Sequence, residues 1–142
     1  MAVSDMQTEA ILGTTLADNE PLKLLEQLSA GLPAATLRQF KRATRLADAD
    51  VAVLLQVSSR TLSRLKGGRT RLPAVLSDRL YSVASVYALA EAVFGATDRA
   101  AAWLNAPQHA FGGRRPQELV ATELGRAQVR ALLRRIEHGF LA

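Results

Sequence analysis

Asp50-Val-Ala-Val-Leu-Leu-Gln-Val-Ser-Ser-Arg-Thr-Leu-Ser-Arg-Leu-Lys66 reads as two short amphipathic helices joined by a tight turn, a helix-turn-helix. Ala52 is small where the two helices must cross closely. Val51, Leu55, Val57, Leu62 and Leu65 supply their shared core, and Ser58 or Ser59 stands where a hydroxyl can cap the second helix. The outer side of that helix carries Ser59, Arg60, Thr61, Ser63, Arg64 and Lys66, with Arg69 and Arg71 just beyond. Hydroxyls and guanidinium groups are the side chains that contact base edges and phosphates, so these eight residues are the candidate DNA-binding set. One position departs from the usual pattern: Gln56 stands where such turns commonly have glycine. A left-handed backbone there costs a non-glycine residue about 1 kcal/mol.

The charge distribution agrees with this reading. Net charge over the 142 residues is +5, but residues 1–35 sum to −4, residues 36–71 to +7 and residues 72–142 to +2. A solvated basic face alone is an ordinary surface; a basic third coinciding with a helix-turn-helix is the electrostatic footprint of a nucleic-acid partner. One recognition helix contacts few base pairs, so a homodimer is expected, with the long helix and the C-terminal helices offering apolar surface for pairing.

Outward from the motif, every segment reads as helix, which makes the chain all-α. Leu and Ala dominate and strand alternation is absent. Residues 1–18 lack sustained periodicity and are expected to be a flexible arm. Asn19 is placed as the cap of a helix with Leu22, Leu25 and Leu28 inward, ended by Gly31 and Pro33. A helix over 34–44 turns Leu37 and Phe40 inward and Arg38, Lys41, Arg42 and Arg45 outward. Helices over 49–55 and 59–66 follow, the latter ended by a left-handed Gly67-Gly68 pair. The longest helix spans 74–94, with Leu76, Leu80, Val83, Val86 or Tyr87, Ala90 and Phe94 inward and Gly95 as its stop. Thr97 is placed as the cap of a helix bearing Trp103, residues 107–116 form a loop with Gly112-Gly113 at its tip, and Pro116 opens a helical turn. The last helix, 123–137, carries Val129, Leu132, Leu133 and Ile136 inward and stops at Gly139. The organisation is therefore an arm (1–18), an N-terminal helix-turn-helix domain (19–71) and a C-terminal helical domain (72–142).

Several function classes are disfavoured. Without cysteine there are no disulfides or thiolate metal sites, and no signal segment or spanning apolar run is visible, so a cytoplasmic protein with no membrane partner is expected. His109 and His138 are not spaced from other ligand types as a metal site requires. Gly112-Gly113-Arg114-Arg115 lacks the glycine spacing and Lys-Ser/Thr of a phosphate-binding loop. No nucleophile signature or carboxylate pair is recognisable, so neither an enzyme nor a cofactor is expected.

Separated motifs in the second half carry a resemblance. They are Ser77-Asp78-Arg79-Leu80, Ala90-Glu91-Ala92-Val93-Phe94-Gly95, Ala102-Trp103-Leu104, Phe111-Gly112-Gly113-Arg114-Arg115-Pro116, Thr122-Glu123-Leu124-Gly125 and Arg135-Ile136-Glu137-His138-Gly139. With the helix-turn-helix, this order resembles the Xre/MbcA/ParS-type antitoxins over about residues 34–142. The resemblance implies a type II antitoxin whose Xre-like N-terminal domain represses the shared operon. Its C-terminal domain, as toxin-binding and dimerisation unit, would block the active site of a RES-domain, NAD-consuming toxin within a hetero-oligomeric complex. The toxin-facing candidates it implies are Gly112, Gly113, Arg114 and Arg115, and the tail residues Glu137, His138, Phe140 and Leu141. Phe140 and Leu141 lie beyond a helix-stopping glycine, where a partner's pocket could bury them or the tail could fold back on its own domain. The alternative function is a freestanding transcription regulator whose C-terminal half binds a ligand or another protein.

Overall fold

A computed structural model describes residues 3–17 and 19–139, and in those residues every regular element is a helix. In chain order they are α1 (Val3–Leu12), α2 (Pro21–Ala30), α3 (Ala34–Thr44), α4 (Asp48–Leu55), α5 (Ser59–Lys66), α6 (Ala74–Phe94), α7 (Thr97–Asn105), a 3₁₀ turn (His109–Phe111), α8 (Pro116–Leu119) and α9 (Glu123–Glu137). Phe111, Tyr81 and Trp103 sit half-buried against the common core.

α6 is the axis of the fold. Leu80, Val83, Ala84, Val86, Ala88 and Ala90 are fully buried, because α1, α2, α4, α7 and α9 all pack against it. Its alanines and serines let neighbours approach on several sides, so it shows no single apolar stripe. Most of the apolar surface expected of this helix for pairing two copies is consequently covered by its own chain, with Val75 near its start left exposed.

The N-terminal segment is not an arm. Thr8, Ile11, Leu12 and Leu16 are buried, and α1 lies along α6 and against α3. Burial of each such aliphatic side chain is worth roughly 1.5–3 kcal/mol, enough to order a short segment. The turn after α1 is held by Glu9, whose carboxylate accepts the Leu16 amide at 3.0 Å, and by Gln27, whose Nε2 donates to the Thr15 carbonyl at 2.8 Å.

α2 also departs from expectation. Its N-cap is Glu20 rather than Asn19, and Leu22 and Leu25 face solvent while Leu24 and Leu28 turn inward. Any two leucines three or four apart satisfy the helical period, so spacing alone did not fix which face is inner. At the end of α2, Gly31 lies where a Cβ would come within 2.3 Å of the Leu72 carbonyl oxygen. That approach lets Leu72 N donate to Leu32 O at 2.8 Å and Leu32 N donate to the buried Ser77 hydroxyl at 2.8 Å. Two smaller differences are local: α5 ends on Gly67 with a right-handed φ of −83°, and α7 is capped by Ala96, with Thr97 inside its first turn.

The helix-turn-helix is tied to the C-terminal half at two points. Gln56 does adopt the left-handed conformation, φ 55° and ψ 45°, and its Nε2 donates to the Ala121 carbonyl at 2.6 Å. Arg79 on α6 donates to the Leu55 carbonyl at 2.6 Å, satisfying the end of α4. The hydrogen bond explains why glutamine replaces glycine. Gln56→Ala keeps the backbone cost and loses the bond, so it is expected to lower stability by about 1 kcal/mol. Gln56→Gly loses the bond but relieves the backbone, so it is expected to be near neutral. Urea unfolding of the two variants checks the order; an alanine variant as stable as the parent would show that the bond contributes nothing.

Candidate nucleic-acid and partner interfaces

Ser58 caps α5: its Oγ accepts the Thr61 amide at 3.0 Å and donates to Thr61 Oγ1 at 3.0 Å. The cap fixes the start of the helix, and Leu62, buried, with Leu65, half-buried, anchors its inner side. Ser59, Arg60, Ser63 and Arg64 are consequently exposed on the outer side. Arg60 and Arg64, four residues apart, stack along one face and pair with no carboxylate among the described residues. Arg69 is exposed in the loop that follows.

The other candidates of this set are engaged within the fold. The Thr61 hydroxyl serves the cap. Lys66 Nζ lies 2.8 Å from Asp48 Oδ2, and Lys41 lies 2.8 Å from the other oxygen, so one carboxylate staples α3, α4 and α5 together. The hydrogen bond from Lys41, then that from Lys66, holds the Asp48 carboxyl below its ordinary value, and the bond to Asp48 raises the Lys41 ammonium above its own. Arg71 Nη1 donates to the Gly31 carbonyl at 2.8 Å and secures the α2–α6 crossing. Arg38 Nη1 donates to the Lys66 carbonyl at 2.7 Å, satisfying the end of α5.

A cationic feature that extends beyond the predicted set adjoins this face. Arg38, Lys41, Arg42, Arg45 and Lys66 line an open cleft of about 490 Å³. Their outward placement on α3 was legible from helical periodicity, but their convergence with the end of α5 depends on how the helices pack.

In the C-terminal half the Gly112-Gly113 tip is a closed turn. Both glycines have positive φ, 65° and 85°, and Gly113 N and Gly112 N donate to the carbonyls of Gln108 and His109, each at 3.0 Å. Arg114 is exposed; its Nη1 reaches only the Phe111 carbonyl of its own loop, at 3.3 Å. Arg115 is used internally, donating from Nε to Glu118 at 2.9 Å and from Nη1 to Asn105 Oδ1 at 2.7 Å. Glu137 is exposed and lies 3.2 Å from Arg134, with His138 Nε2 at 3.9 Å. Phe140 and Leu141 lie outside the described residues.

Behind the loop, α9 begins at the Thr122 cap, whose hydroxyl accepts the Gly125 amide at 3.0 Å. Two arginines on this helix are drawn into the protein. Arg126 Nη1 donates to Val120 O at 3.0 Å, while Arg130 Nη2 donates to Ser82 and Ser85 on α6. Burial lowers the proton affinity of both guanidinium groups.

The chain matches the Antitoxin Xre-like helix-turn-helix domain over residues 23–85 and the Antitoxin Xre/MbcA/ParS C-terminal toxin-binding domain over residues 89–139. It is 30% identical to the Antitoxin Xre of Pseudomonas putida over an alignment of 157 positions, covering 99% of each chain. The chain belongs to the Xre/MbcA/ParS antitoxin family. A second Antitoxin Xre, from Photorhabdus laumondii, is 28% identical over 81% of this chain and 78% of its own length. A chain in the crystal structure of the M. tuberculosis MbcT–MbcA toxin–antitoxin complex superposes with a TM-score of 0.59 and 25% identity, over 77% of this antitoxin and 96% of that chain. The two matched domains meet inside α6, which is why this antitoxin has one shared core rather than two separate ones. As a member of a family built around toxin binding, it is not an enzyme. No single helix among the described residues is long and apolar enough to cross a membrane.

Proposed function

We propose that this antitoxin acts in the cytoplasm by neutralising a RES-domain, NAD-consuming toxin, and that it represses its own operon as a homodimer within the toxin–antitoxin complex. The C-terminal half covers the toxin's active-site cleft, with the Gly112–Arg114 turn and the tail from Glu137 facing it. DNA is held by Ser59, Arg60, Ser63, Arg64 and Arg69. The observation that carries the DNA reading is the capped α5 with Arg60 and Arg64 exposed and unpaired: a packed helical hairpin has no need of two uncompensated guanidinium groups on its outer side. Similarity to a chain of the MbcT–MbcA complex supports the toxin reading.

Co-expression tests the first half. The antitoxin, produced together with a cognate RES-domain toxin, is expected to restore growth and cellular NAD to arrested cells. Continued arrest with both proteins present at comparable levels would remove the neutralisation reading.

A further inference from the structure

We infer that the toxin is gripped through Leu124, in a groove between the Arg114 side of the loop and the first turns of α9. This rests on the toxin-binding reading above and adds to it the surface used.

Six large hydrophobic residues are exposed among the described ones: Met6, Leu22, Leu25, Val53, Val75 and Leu124. Only Leu124, 73% exposed, falls inside the matched toxin-binding region, residues 89–139. Its position is imposed rather than incidental. The Thr122 cap and the tight seat of Gly125 against Leu119 fix the rotation of α9, and Val129 and Leu133 face the core. Leu124 then points away from the core, on the side of α9 opposite Val129 and Leu133.

It does not stand alone. With Leu119 and Gly125 it lines a groove of about 470 Å³ whose rim carries Arg114, Gln128 and Glu118, the last already paired with Arg115 at 2.9 Å. Arg114 pairs with no carboxylate among the described residues. The occupant this arrangement fits is an apolar side chain of the toxin seated on Leu124, with a toxin carboxylate close enough to pair with Arg114. Energetically dominant contacts sit in desolvated pockets near the centre of an interface, and arginine is among the residues enriched in them, so Leu124 would supply the apolar floor and Arg114 the directed contact.

Leu124→Asp is the test. The residue occupies the second position of α9, where an acid complements the positive end of the helix, so the variant is expected to fold with an unchanged thermal midpoint. Binding of the chain to its proposed partner, a cognate RES-domain toxin made as a catalytically inactive variant, is measured by calorimetry. Leu124→Asp is expected to weaken it about 10–100-fold. Leu22→Asp, on the exposed face of α2, is expected to leave it unchanged. If the parent chain binds and Leu124→Asp binds equally well, the surface assignment falls while the pairing stands. If Leu124→Asp changes only self-association, the face belongs to a second copy and the assignment likewise falls. A parent chain that does not bind this toxin overturns the pairing, and the surface with it.

Discussion

Replacing Arg60 and Arg64 together by alanine is expected to abolish retention of the antitoxin's own promoter DNA while leaving toxin affinity at the parental level. Both side chains are exposed on one face of α5, and no carboxylate among the described residues competes for them. Each arginine reading a base edge contributes about 1–3 kcal/mol, so the pair is worth on the order of 100-fold or more in affinity. The fold should not notice, since the helix is held by the Ser58 cap and by Leu62, not by its outer residues. Salt dependence sharpens the expectation. Binding of the parent chain should weaken with a log–log slope of about −0.9 per phosphate neutralised, and the slope should flatten where a lost arginine had met a phosphate. Fluorescence anisotropy across a salt series reads both quantities. A flat salt response in the parent would argue against any basic face as the DNA surface. Parental affinity in the double variant would show that DNA is held by another surface. The cationic cleft between α3 and the end of α5 would be the first to examine.

Why the exposure of these two arginines was legible in the sequence, and the internal contacts of Lys66 and Arg71 were not, follows from the range of the interactions involved. Helices α3, α5, α6 and α9 have the limits read from sequence, because local chemistry marks them: Pro33 and Pro73 before α3 and α6, Ser58 and Thr122 as caps, Gly95 as a stop. Arg60 and Arg64 follow from the same local period. Lys66 and Arg71 do not, since the groups that engage them, Asp48 and the Gly31 carbonyl, lie 18 and 40 positions away. A basic residue beside a recognition helix looks alike in sequence whether it reaches for DNA or for its own backbone. α1 escaped notice because Thr8 interrupts the apolar spacing that Ile11 and Leu12 continue, and because the surface it covers, α6, is remote in the chain. Leu124 carried a faint signal, an aliphatic residue on the side of α9 opposite Val129 and Leu133. Only the fold shows that nothing among the described residues covers it.

Gly125→Ala should produce the largest loss of stability, in the direction opposite to helix propensity. Within a helix, alanine exceeds glycine by about 1 kcal/mol, so a solvent-facing α9 would gain from the change. Here a Cβ would sit 1.8 Å from the Leu119 carbonyl oxygen and 2.6 Å from its carbon, with Thr122 Oγ1 at 2.8 Å. Two of those atoms are backbone and the third is the capping hydroxyl, so no flexible side chain can swing aside. The start of α9 must instead move off α8. That strains the Thr122 cap, a contact worth about 1 kcal/mol, and disturbs the Val120 carbonyl that holds Arg126, a guanidinium already buried with its Nε unpartnered. The combined cost is expected to reach about 3 kcal/mol or more, a fall in thermal midpoint of roughly 10 °C for a chain of this size. Gly113→Ala is the matched comparison. That glycine has a φ of 85° but open space around it, so only the left-handed cost of about 1 kcal/mol applies. Calorimetric unfolding of the two variants separates close approach from backbone strain. A Gly125→Ala variant that melts at or above the parent temperature would mean that α8 and α9 are not packed this tightly, and the fixed outward aim of Leu124 would lose its physical cause.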